Sequence, residues 1–120
     1  MNKFLQVGWM GFFLFAVSAS AAHFGLFVGV NEYAYLPSGN WLNYCVLDAG
    51  SMRTNLINQG GGWVASNTAL LVNSAGTKTA IRAALSNYAA QAVSGDVAVY
   101  FHSRHGGNDD PNQANVYLCS

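Results

Sequence analysis

The side chains best placed to do chemistry lie in His102-Ser103-Arg104-His105-Gly106-Gly107, directly after the apolar run Val97-Ala98-Val99-Tyr100-Phe101. A histidine just beyond a buried strand stands on a rigid element. Two glycines after it leave the nearby backbone open to a substrate. Imidazole titrates near neutrality, which suits it to general acid–base work. Two plainer readings stand beside that one. His105 can be an ordinary histidine in a polar strand-end loop. His102 and His105 also form an HxxH pair, but without the third clear ligand that a metal site needs.

The elements that must position these residues alternate between the two hydrophobic periods. Phe24 to Val30 is a continuous apolar run closed by Asn31 and the Pro37-Ser38-Gly39-Asn40 turn cluster, and it predicts a buried strand. Asn43 to Asn58 has helical spacing and stops at Gly60-Gly61-Gly62. Thr68 to Val72 predicts a short strand, followed by a turn at residues 73–76. Thr77 predicts the N-cap of a helix through Ile81, Leu85 and Tyr88 that ends near Gly95. Val97 to Phe101 is a third strand, and Asn115 to Leu118 looks like the start of a fourth.

Strand–helix–strand–helix–strand order implies right-handed crossovers and a mainly parallel sheet. In such sheets ligands gather at the carboxyl ends of the strands. The loop after Val30 and the segment after Phe101 are therefore the two places to look.

Composition narrows the class. The chain has 120 residues, 52% hydrophobic and 8% charged, with five basic and five acidic side chains. One domain fits that length. Disorder is excluded because disordered chains are polar and charge-rich. No Lys/Arg block exists to track phosphates, which argues against a nucleic-acid partner. Two cysteines are too few for a disulfide scaffold or a four-thiolate zinc site.

Part of the apolar content reads as a targeting signal. Lys3 precedes the apolar stretch Phe4 to Val17, and Ser18-Ala19-Ser20-Ala21 supplies the small residues of a cleavage site. The expectation is a signal peptide over 1–21 and a secreted or periplasmic domain over 22–120. An uncleaved membrane anchor is the alternative, although Phe4 to Val17 is shorter than the ~20 residues of a span.

Four stretches together resemble the caspase-like cysteine peptidases of the metacaspase type. Val97 to Gly106 is similar to that family's strand followed by "S-G-H-G". Leu26-Phe27-Val28-Gly29-Val30-Asn31-Glu32-Tyr33 is similar to its first strand, and Leu42-Asn43-Tyr44-Cys45-Val46-Leu47-Asp48-Ala49 to its first helix. Leu70 to Leu85, with Gly95-Asp96, follows in register.

The resemblance implies a three-layer α/β/α caspase-like sandwich with a mainly parallel sheet, and a Cys–His endopeptidase acting on protein or peptide substrates. It assigns His105 as general acid/base and the Gly106 amide to the oxyanion. Asp48, Cys45 and Ser103 fall at its substrate-binding positions. Asp48 would receive a basic residue before the scissile bond, since no Arg or Lys lies between Asn31 and Met52 to receive an acidic one. A helix N-terminal acid is the plainer reading of Asp48.

The departures are as informative. The family's nucleophile lies in a "D-x-C-x-[S/A]-G" motif beyond the histidine, and no such motif occurs here. The resemblance thus implies the amino-terminal part of the domain, truncated at the carboxyl end and inactive alone. A pseudo-peptidase or peptide-binding module is the alternative. Cys119 is not in the nucleophile's place, and a small buried hydrophobe is the plainer reading of it and of Cys45, with a Cys45–Cys119 disulfide a further option in an exported protein. Arg104 stands where the family has glycine and would place a cation beside the base. Asp109-Asp110 reads as a solvated acidic loop, calcium being a cofactor option only for the complete domain.

Overall fold

The computed structural model describes residues 20–107 and 117–118. The expected signal peptide (apart from Ser20 and Ala21), Asp109, Asp110 and Cys119 lie outside the described residues. Among the described residues no helix is long and apolar enough to cross a membrane.

The chain is α/β, with a three-stranded, all-parallel sheet and two helices. β1 (His23–Gly29) leads through α1 (Cys45–Gln59) to β2 (Trp63–Val72), then through α2 (Lys78–Gln91) to β3 (Val97–Ser103). The order is β2-β1-β3, so β1 is central and pairs in parallel with both neighbours. Leu26, Phe27 and Val28 have no exposed surface. A strand covered on both faces explains why Phe24 to Val30 shows no polar alternation.

Side chains alternate across a strand, so β1 serves two cores. Phe24, Leu26 and Val28 pack with Ile81 and Tyr88 of α2. Gly29 points the other way, toward α1, where a Cβ would run into the Cys45 carbonyl. The two helices therefore cover opposite faces, giving the α/β/α layering.

Each boundary has a local cause. Tyr44 gives α1 no side-chain cap. Asn31 supplies one instead, its Oδ1 accepting the Val46 N–H at 3.2 Å. Three glycines with φ of 68°, 67° and 102° at residues 60–62 end α1 in a conformation other residues resist. Thr77 caps α2, its Oγ1 accepting the Ala80 N–H at 3.2 Å.

Three expectations need correction. β2 begins at Trp63, not Thr68; its first half is exposed and pairs with β1 across an irregular register between His23 and Gly25, so apolar content did not mark it. β3 continues past Phe101 because the ladder does: Val28 pairs with His102 and Gly29 with Ser103. Of the expected fourth strand, Tyr117 and Leu118 are described, and they form a strand outside the three-stranded sheet. Tyr117–Leu118 (β5) pairs antiparallel with Gly106–Gly107 (β4) in a separate two-stranded sheet. Fewer residues lie between Gly107 and Tyr117 than the dozen or more a parallel crossover takes, so β4 and β5 pair antiparallel.

Asp96 ties the start of the sheet together. Its Oδ1 accepts the Ala22 N–H at 2.8 Å and its Oδ2 accepts the Val93 N–H at 2.9 Å. The Val93 bond, then the Ala22 bond, hold its carboxyl below the usual aspartate value. Its support is therefore present above about pH 4, the unfolded value, and is lost as pH falls below that. Asp96→Asn should flatten the acid limb of a pH-dependent melting series. Gly29→Ala should lower stability in urea by about 1–3 kcal/mol, the usual cost of overpacking a tight contact.

Candidate functional site

The carboxyl end of the sheet brings the two singled-out segments together. β3 ends at Ser103, whose carbonyl accepts the Val30 N–H at 3.0 Å. This fixes the segment after β3 against the loop after β1. His105 then makes two contacts to that loop. Its backbone N–H donates to the Tyr33 hydroxyl at 2.7 Å, and its Nε2 lies 2.7 Å from the Asn40 carbonyl. The Tyr33 hydroxyl in turn donates to the Val30 carbonyl at 3.2 Å, and the two rings pack 5.1 Å apart.

A carbonyl oxygen only accepts, so Nε2 of His105 carries a proton. In the neutral ring the lone pair is then on Nδ1. The imidazole is oriented by a fixed backbone acceptor and has its basic nitrogen left for another group.

The loop that presents Asn40 is itself pinned. The Trp41 indole N–H is shared between the carbonyls of Tyr33 and Leu36, each 3.2 Å away. A 3-10 turn over Ser38–Asn40 precedes Trp41, and the Leu42 N–H returns to the Asn31 carbonyl at 3.0 Å. Asn31 N–H donates to Asn73 Oδ1 at 2.9 Å, joining the loop to the end of β2.

Of the expected substrate-binding residues, two meet. Ser103 Oγ donates to Asp48 Oδ2 at 3.2 Å across the top of β3 and α1. Asp48 lies in the first turn of α1 and is exposed, not partly buried as a pocket carboxylate would be. Cys45 is a free thiol, but it is buried beneath the first turn of α1. Gly106 is exposed and pairs with Leu118.

Arg104 directly follows β3, and its charge is felt by Tyr100 and His102. His102 is pushed down to about 4, by burial first and by Arg104 second. Burial raises Tyr100. The phenol therefore stays protonated, and its oxygen shares a hydrogen bond of 2.6 Å with Nδ1 of the neutral His102. Nε2 of His102 and Nε and Nη1 of Arg104 are buried without hydrogen-bond partners. His102 and His105 are thus engaged separately, and among the described residues no group of three His, Cys, Asp or Glu could hold a metal ion.

No family model matches the chain, and no curated protein matches it. Sequence reasoning marked His105, Ser103 and Asp48 but missed Asn40 and Trp41. Asn40 acts through its carbonyl, which every residue has. Trp41 directly follows the turn cluster, and an aromatic residue with an indole donor there was the available signal.

Two outcomes follow. Tyr33→Phe should leave the His105 N–H without its acceptor, costing roughly 1–3 kcal/mol and speeding exchange of that amide in NMR. The His102 resonances should titrate with a midpoint near 4. Because that value lies below the ordinary histidine value of about 6.5, stability should fall as pH drops from there toward about 4, and His102→Gln should remove that slope.

Proposed function

We propose that this chain carries the histidine half of a caspase-like, metacaspase-type cysteine endopeptidase that cleaves after basic residues. The observation that supports this best is the His105 imidazole, held by the Asn40 carbonyl at Nε2 so that Nδ1 is the basic nitrogen. A base so oriented can stabilise a thiolate and later protonate a leaving amine. Gly106 follows directly and offers a backbone amide to the oxyanion. The Asp48–Ser103 pair supplies the carboxylate for a basic side chain before the scissile bond.

This reading needs a thiolate that Cys45 does not provide, because that sulfur is buried. It also favours export, in keeping with the apolar amino-terminal stretch. The same burial favours a second reading, a peptidase-like fold that binds peptides without cleaving them.

Residues 1–120 alone should show no thiol-dependent turnover. The coding DNA beyond codon 120 is the first test. A "D-x-C-x-[S/A]-G" motif in frame selects the peptidase, and its absence selects the binding protein. The completed domain should cleave a fluorogenic peptide with Arg before the bond and spare one with Asp. His105→Ala should lower kcat by about 10²–10⁴. Asp48→Ala should raise KM for the Arg peptide about tenfold, the effect of losing about 1.4 kcal/mol, with kcat little changed. Preference for Asp, or turnover that survives His105→Ala, would sink the assignment.

A further inference from the structure

Beside His105 the surface opens into a cavity of about 500 Å³, walled by residues 33–36, Asn40, His105 and Gly106. That volume is within the usual range for ligand sites. The wall is mostly apolar and, among the described residues, includes no Asp, Glu, Lys or Arg. It is also preformed. Trp41 holds the carbonyls of Tyr33 and Leu36, and the Tyr33 ring rests against the His105 ring. A cavity fixed in this way loses little freedom when it is filled.

We infer that this cavity receives an aromatic or large aliphatic side chain from the residue that immediately follows the scissile bond of a peptide substrate. The inference rests on the peptidase reading of His105. A group that protonates a leaving amine lies within hydrogen-bond reach of that nitrogen. The residue carrying the nitrogen is therefore held against the imidazole, and the cavity that has the imidazole in its wall is the nearest space for its side chain. The residue on the acyl side is taken up by Asp48 and Ser103. A charged side chain in the cavity would lose hydration and, among the described wall residues, meet no opposite charge. An apolar one gains by leaving water.

The test is binding to the full chain, which does not depend on turnover. Fluorescently labelled reduced-amide peptides carry Arg before the altered bond and Phe, Leu, Gly or Asp after it, and dissociation constants are read by polarisation. Phe and Leu should bind about tenfold more tightly than Gly, as expected for burying one such side chain, and Asp more weakly than Gly. Ala34 and Leu36 are both exposed, so substitution there spares the core. Ala34→Trp should fill the cavity and bring the Phe-to-Gly ratio close to one. Leu36→Ala should reduce that ratio by thinning the wall. In both variants the preference for Arg over Ala before the bond should persist. Equal affinity for Phe and Gly, with the Arg preference intact, would overturn the cavity assignment and leave the peptidase reading standing. Absence of binding by every peptide would overturn both. A Phe preference without an Arg preference would support the cavity and remove the basic-residue pocket.

Discussion

Everything in this chain hangs on β1 being central. A strand with a parallel neighbour on each edge and a helix on each face has no surface left for water, and Leu26, Phe27 and Val28 show none. That burial fixes where β1 stops, because Asn31 is the first residue after it with polar work to do. Asn31 uses its backbone N–H on Asn73, its carbonyl on Leu42 and its Oδ1 on Val46. One residue thus joins the end of β1 to the end of β2, to the following loop and to the start of α1. The candidate site sits on that junction.

The parallel sheet was legible because its signals are strong and local. Phe24 to Val30 and Val97 to Phe101 are continuous apolar runs, and Thr77 is a capping residue at the head of a helical pattern. What escaped were features whose signal is not side-chain hydrophobicity. Val64 to Ser66 near the start of β2 are exposed and, with Asn67, fall in the irregular register between the paired residues Trp63 and Thr68, so neither burial nor ladder pairing selects their side chains. The Tyr117–Leu118 pair is a response to the chain turning at Gly106–Gly107, which is a tertiary event.

The site was legible in part for the same reason. His105 was visible as a titratable group placed after a strand. The partner that orients it was not, because a backbone carbonyl has no signature in sequence. Asp48 and Ser103 lie far apart in the chain and meet because β3 and α1 share an end of the sheet. The reach of the Arg104 charge to Tyr100 and His102, on the strand before it, was not legible, because it depends on where the folded chain carries the guanidinium.

The two contacts that set His105 span 72 and 65 residues of chain, to Tyr33 and to Asn40. Loop closure over such distances comes late, after the strands between have paired. Helices α1 and α2 can each form with the imidazole still swinging free. The histidine is therefore aligned only once the first and last strands of the sheet have docked. Its orientation reports on completed folding, and a nascent or partly unfolded chain carries the residue without the arrangement.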